Sequence, residues 1–151
     1  MKYFKSDNRI EYDTSSGISS SYKIKKHDIS DAAITIGAAS TQSCFSWDGV
    51  NYAGLNWLAT DVNKPTESEI NAKIAELDKD DALRLLRIER NEKLIDSDWV
   101  VTKSNETGVG IATDWKTYRQ SLRDLPSTSN PTLTNDAYLD YTSFTWPTKP
   151  S

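Results

Sequence analysis

The stretch from Thr66 to Ile95 places the tightest constraint on what this chain can fold into. Thr66-Glu67-Ser68-Glu69 has the form of a capping box, in which the Thr66 hydroxyl takes the amide three residues on and Glu69 reaches back. A helix is expected to begin there. Ile70, Ile74, Leu77, Leu85, Ile88 and Ile95 recur at helical spacing and define one side, interrupted by Asp81. From Leu83 onward a second apolar row, Leu83, Leu86 and Leu94, lies nearly opposite the first. A helix that is apolar on two sides has to be covered on two sides. Its second half is therefore either sandwiched within this chain or open to another one.

Before this helix the chain reads as β-rich and punctuated by turns. Strand candidates are Lys2–Phe4, Arg9–Tyr12, Tyr22–Lys25 and Ala33–Ile36, separated by clusters such as Ser15-Ser16-Gly17. Further on, Phe45 and Trp47, then Val50 and Tyr52, alternate with polar residues on either side of Asp48-Gly49. That pair predicts a two-residue hairpin turn, because both central positions need positive φ. Leu55–Ala59 is another strand candidate. The composition changes at Asn63-Lys64-Pro65, which divides a β-rich lobe, residues 1–62, from a helical region, residues 63–151.

Ser97-Asp98-Trp99 is expected to end the long helix, with a polar loop over 104–110. A second helix starts at Thr113 or Asp114, with Trp115, Tyr118, Leu122 and Leu125 on one face, Arg119 on its border and Arg123 further round. Pro126 should stop it, since the residue before a proline is steered out of the α region. The remainder lacks helical periodicity and reads as extended. The expected fold is α+β: a small antiparallel β lobe followed by a helical hairpin and an extended C-terminal tail.

Composition excludes several function classes. The hydrophobic share of the 151 residues is only 36 %, but five Trp and seven Tyr can supply a modest core. A net charge of −4 offers no basic stripe for counterion release, so no nucleic-acid partner is expected. Cys44 and His27 are each the only residue of their type, which removes disulfides, cysteine zinc cages and most metal or triad arrangements. No metal and no cofactor are expected. The N-terminus has no apolar signal region and no stretch is apolar enough to span a bilayer, so no membrane partner is expected and a reducing cytoplasm is the expected location.

Lesser signals read as structural. Asp78, Asp80 and Asp81 lack a calcium-loop pattern and are spaced to pair with Arg84. His27, beside Lys25 and Lys26, reads as a solvated surface residue, and Cys44 as a core residue beside an aromatic strand. Trp47, Tyr52 and Trp57 fit either the core of a small β unit or a sugar-stacking surface. No spacing singles out a carboxylate pair, so no catalytic residue is expected.

Three motifs carry a family resemblance. Arg90-Asn91-Glu92-Lys93-Leu94-Ile95-Asp96-Ser97-Asp98-Trp99 resembles the R-N-x-L-L-x-x-S-D-W signature of phage tail assembly chaperone proteins. Residues Trp115 to Pro126 are similar to that family's W-x-x-Y-R-Q-x-L-R-D-I-P, and Trp146-Pro147-Thr148-Lys149-Pro150 to its closing W-P-x-x-P. The resemblance covers about residues 84 to 151. It implies a phage-encoded, non-catalytic helper that binds a tail or tail-fibre protein in the host cytoplasm during assembly. The same unit resembles a module attached to other tail proteins. A permanent component of the tail, fibre or adaptor, retained in the virion, is therefore the alternative, and a carbohydrate-binding module is a second one.

Trp115, Tyr118, Arg119 and Arg123 fit two roles. They can pack on the long helix, with the arginines over the aromatic edge and paired to Glu89, Glu92 or Asp96. They can equally anchor a partner, since Trp, Tyr and Arg dominate interface energetics. In the tail, Phe144 and Trp146 share one side of an extended segment that Pro147 keeps from becoming helical. That segment either folds back on its own β lobe or reaches a partner, a second copy of this chain included. Trp115, Tyr118, Arg119, Arg123, Phe144, Trp146 and Pro147 are the candidate partner-binding residues.

Overall fold

The computed structural model of the protein describes residues 10–13 and 21–151. Strands β1 (Ile10–Asp13) and β2 (Ser21–Ile24) pair antiparallel, with Ile10 opposite Ile24. Helix α1 (Ile29–Ile36), strands β3 (Phe45–Trp47) and β4 (Leu55–Trp57), and helices α2 (Glu67–Ile95), α3 (Trp99–Thr107) and α4 (Thr113–Thr128) follow. The fold is α+β and mostly helical, as the sequence pattern indicates. The candidate strand Lys2–Phe4 lies outside the described residues. The chain forms two compact units, one of residues 1–24 and 81–151 and the other of residues 25–80. These bounds differ from the division at residue 62, which follows composition. Helix α2 contributes to both units.

In the 25–80 unit, Ala33–Ile36 is helical rather than extended. The cause is a second capping box: Asp28 Oδ1 accepts the Ser30 and Asp31 amides at 2.9 and 3.2 Å, and Asp31 Oδ2 accepts the Asp28 amide at 3.1 Å. Ala32 and Ala33 face Leu55 and Ile70 in the core, with Phe45, Trp47, Tyr52 and Trp57 packed around them. The expected two-residue hairpin across Phe45–Tyr52 does not form: Phe45–Trp47 pairs instead with Leu55–Trp57, with Phe45 opposite Trp57. Residues 50–52 are not a strand because the loop makes its own bonds. Asp48 Oδ1 accepts the Val50 amide at 2.9 Å, Asn51 Oδ1 accepts the Ala53 amide at 3.0 Å, and Trp47 Nε1–H donates to the Asn51 carbonyl at 2.8 Å. An Asx turn followed by a cap makes the connection longer than two residues.

Helix α2 starts as its sequence requires: Thr66 Oγ1 accepts the Glu69 amide at 3.2 Å and Glu69 Oε2 accepts the Thr66 amide at 2.7 Å. The Thr66 amide, and then the Thr66 hydroxyl that donates to the same oxygen at 2.8 Å, hold the Glu69 carboxyl below its usual range. Both apolar rows are covered inside the chain. Leu85 and Leu86, one from each row, are fully buried in one cluster with Ile24, Leu125, Ala137 and Leu139. Ile95 is the exception at 68 % exposed.

Two expectations for the C-terminal half are corrected. Residues 104–107 are helical, and α3 ends only where Gly108 takes φ 67° and donates its amide to the Ser104 carbonyl at 3.0 Å. That left-handed conformation costs glycine little. Pro126 does not stop α4, which runs on to Thr128. A proline near a helix end forfeits one amide bond, and the ladder resumes past it with the Ser129 amide donating to the Leu125 carbonyl at 3.0 Å. The Ser129 hydroxyl donates to the same carbonyl at 2.6 Å.

Candidate functional site

The site is built where α2, α3, α4 and the C-terminal tail meet within the unit of residues 1–24 and 81–151. The last turn of α2 is closed by the Asp96, Ser97 and Asp98 amides, which donate to the Glu92, Leu94 and Ile95 carbonyls. Arg119 of α4 adds a side-chain cap to this end. Its Nη1 donates to the Leu94 carbonyl at 3.0 Å and to Ser97 Oγ at 2.6 Å, while its Nη2 donates to Asp98 Oδ1 at 2.8 Å. The Ser97 hydroxyl in turn donates to the Leu94 carbonyl at 2.9 Å. Ser97 is fully buried and Arg119 nearly so. A guanidinium at a helix C-terminus also meets the negative end of the helix dipole. The expected partners of Arg119 (Glu89, Glu92 or Asp96) are replaced by Asp98, because α3 begins immediately after α2 and brings Asp98 to the arginine.

Trp99, the next residue, is 51 % exposed, and its ring meets Trp115 edge to face at 5.4 Å. Trp115 meets Tyr118 in the same manner at 5.9 Å. Lys103 lies 5.9 Å above the Trp99 ring. Tyr118 is buried, which raises its hydroxyl pKa, with the charge of Asp96 adding to the effect. Helix α4 reaches the 83–95 stretch of α2 through Leu125 and Arg119, while the ring contacts of Trp115 are with Trp99 and Tyr118. The Arg123 side chain is exposed, and its backbone carbonyl accepts a long 3.4 Å bond from Arg90 Nη1.

The tail folds back on its own unit. Phe144 and Trp146 pack against the core cluster and meet each other edge to face at 5.2 Å. Lys93 of α2 sits 4.8 Å above the Trp146 ring. Beyond them, Pro147, Thr148, Lys149 and Pro150 line one cleft of about 580 Å³ together with Trp115 and Tyr118. Of the seven candidate residues, Trp115, Tyr118 and Pro147 thus line the cleft, Arg119 joins α4 to α2, and Phe144 and Trp146 seat the tail. Arg123 stands apart. Sequence reasoning did not single out Ser97, Asp98 or Trp99 as site residues, although they lie in the first motif.

In the other unit, the aromatics that fit a sugar-stacking surface lie around the core, with their polar ends taken by the chain. Tyr52 donates to the Pro65 carbonyl at 2.7 Å and Trp57 Nε1–H to the Val62 carbonyl at 2.8 Å. His27 is mostly covered rather than solvated, its Nδ1 lying 3.5 Å from Asp31 Oδ2. Cys44 donates to the Gly37 carbonyl at 3.1 Å.

The fold and site define a helical scaffold that closes on its own extended tail and leaves an aromatic cleft between them. Residues 83–151 match the family described as phage tail assembly chaperone protein, the family that the three motifs resemble. The match leaves residues 1–82 outside it. No curated protein and no solved structure matches the chain. Among the described residues no helix is long and apolar enough to cross a membrane.

Proposed function

We propose that this protein acts in phage tail assembly, inside the host cell, as a non-catalytic binder of a tail or tail-fibre protein. One observation carries the reading: the second and third motifs line a single cleft, and the first motif braces the helix that forms one side of it. Arg119 ties the second motif to the first, and Pro147 and Pro150 of the third face Trp115 and Tyr118 of the second. Exposed Trp99 extends this aromatic surface beyond the cleft. Large aromatics that combine apolar faces with polar tips suit a protein interface. Trp99, Trp115, Tyr118 and Pro147 are the contact residues in this reading. Arg119, Phe144 and Trp146 hold the cleft in shape, and Arg123 contributes from the exposed side of α4.

The second reading is a permanent component of the tail, fibre or adaptor. It is favoured by the separate compact unit of residues 25–80, which lies outside the family match and can serve as an attached module. Mass spectrometry of purified particles and of assembly intermediates separates the two. An assembly helper is present in intermediates and missing from mature particles, whereas a component is found in both at fixed stoichiometry. Absence from both contradicts the tail-assembly reading itself.

A further inference from the structure

The family-matched residues do not close their own core. Ile24 of β2, outside the match, is 1 % exposed among Ala82, Leu85, Leu86, Leu125, Ala137 and Leu139. Its amide donates to the Ala137 carbonyl at 3.0 Å. Ala137 presents that carbonyl from a turn at φ 65°, a conformation uncommon for any residue but glycine. Two residues earlier on the strand, Tyr22 lies against the same cluster and donates its hydroxyl to Glu92 Oε1 at 2.6 Å. Residues two apart on a strand share a face, so the seat takes an extended Tyr-x-Ile segment from one side. In sheet pairing, β1 and β2 have only each other among the described residues, so the ribbon depends on the packing of β2 against the core cluster for its stability.

Residues 81–151 therefore form an acceptor for one extended segment, and the segment now in it belongs to a ribbon of only two strands. We propose that this acceptor is a second client-binding groove and that β2 occupies it in cis. The client element that replaces β2 is an extended segment of a tail protein with an aromatic residue, any residue, then a branched aliphatic one. Its aliphatic residue needs a free amide for the Ala137 carbonyl, which excludes proline there. The aromatic residue needs a hydroxyl to reach Glu92. Cis occupancy lowers the apparent affinity by the fraction of time the ribbon is seated, which gives the protein a threshold against casual binding. The inference rests on the tail-assembly reading for the identity of the client, and on β2 for the chemistry of the groove.

The test uses full-length protein and a labelled peptide with the sequence of residues 20–26, Ser-Ser-Tyr-Lys-Ile-Lys-Lys. In native-state hydrogen exchange, the Ile24 amide should exchange about 100-fold faster than the central amides of α2 and α4, through an opening that leaves those helices protected. The peptide should bind Ile24→Ala protein about tenfold more tightly than wild type, because the weakened cis strand leaves the groove open more often. A peptide carrying Asp in place of Ile should bind neither. Exchange of the Ile24 amide in step with the helices overturns the proposal, as does peptide binding to neither protein or to both alike. Should Ile24→Ala lose its helical circular dichroism, the wild-type exchange decides alone. A groove that accepts the peptide in a protein that binds no tail protein contradicts the tail-assembly reading and leaves the groove standing.

Discussion

Arg119 donates to Ser97 Oγ at 2.6 Å in a buried setting, joining two sequence motifs through residues 22 positions apart. The bond explains why the first motif needs a serine and the second an arginine. A small hydroxyl at the end of α2 leaves room for the guanidinium and accepts from it. The forked head then reaches the Leu94 carbonyl and Asp98 as well. Lysine carries its three donors on one nitrogen and lacks the planar fork whose two separated nitrogens span these acceptors.

Arg119→Ala should destabilise the unit of residues 1–24 and 81–151 by about 2–3 kcal/mol, in the range for hydrogen bonds to a charged group. The exposed Asp98 partner adds little, because solvent screens it. Arg119→Lys should recover part of the loss but not all. Urea denaturation followed by tryptophan fluorescence measures this, and equal midpoints for all three proteins would remove Arg119 from the structural account.

Trp99 and Trp115 should separate binding from stability. Trp99→Ala removes a half-exposed ring and should shift stability by less than about 1 kcal/mol, as surface substitutions do. It should nevertheless weaken binding to a tail protein by tenfold or more, the about 1.4 kcal/mol or greater loss of an interface anchor. Trp115→Ala should cost about 2–3 kcal/mol of stability, below the range for a fully buried aromatic, because its ring is only partly covered. Calorimetric titration beside thermal melts tests the pair. A Trp99→Ala protein that binds normally excludes that residue from the interface.

Glu89 and Tyr141 give a pH dependence with a definite sign. Burial raises the Glu89 carboxyl above its usual value, against the opposing effect of the Tyr141 hydroxyl that donates to it at 2.7 Å. Burial and the Glu89 carboxylate likewise push the Tyr141 phenol up. For a group raised in the folded state, the stabilising contribution is present below the unfolded pKa and is lost as pH rises through the folded pKa. Ionised Glu89 therefore opposes folding at neutral pH. Glu89→Gln, whose carbonyl can still accept from Tyr141, should gain stability relative to wild type between about pH 4 and pH 7. Asp61 and Asp140, lowered by hydrogen bonds, act oppositely and lose their contributions as pH falls. Urea midpoints across that range measure the difference, and a gap that stays constant with pH contradicts the assignment.

Gly37 caps the end of α1 against Cys44. A Cβ at Gly37 would stand 2.7 Å from Cys44 Sγ and 3.3 Å from the Trp57 ring. Gly37→Ala should destabilise the 25–80 unit by about 1–3 kcal/mol, the usual cost of overpacking. Thermal melts should show it, and unchanged stability would mean that Cys44 has room to move.

The sequence carried the scaffold better than the site. The capping box at Thr66, the two apolar rows of α2 and the face of α4 were legible because each rests on local spacing. Helix α1 was missed although Asp28-Ile29-Ser30-Asp31 carries the same capping logic, since the β-branched residues of Ala33–Ile36 suggested a strand. Pro126 misled because it lies near a helix end, where one lost amide bond is tolerated. The convergence of Ser97, Asp98 and Trp99 on Arg119 and Trp115 was not legible. It depends on the turn between α2 and α3, and no periodicity reports the direction of a turn.

The central claim, that the cleft between α4 and the tail receives a tail protein during assembly, is tested most directly by site-specific photocross-linking. A photoreactive residue at Thr117 or Lys149, both lining the cleft, would be introduced in phage-infected cells. The predicted result is a cross-link to one tail or tail-fibre protein in assembly intermediates, lost when Trp99→Ala is added. Cross-links to no tail protein, or to many proteins without regard to Trp99, would contradict the account.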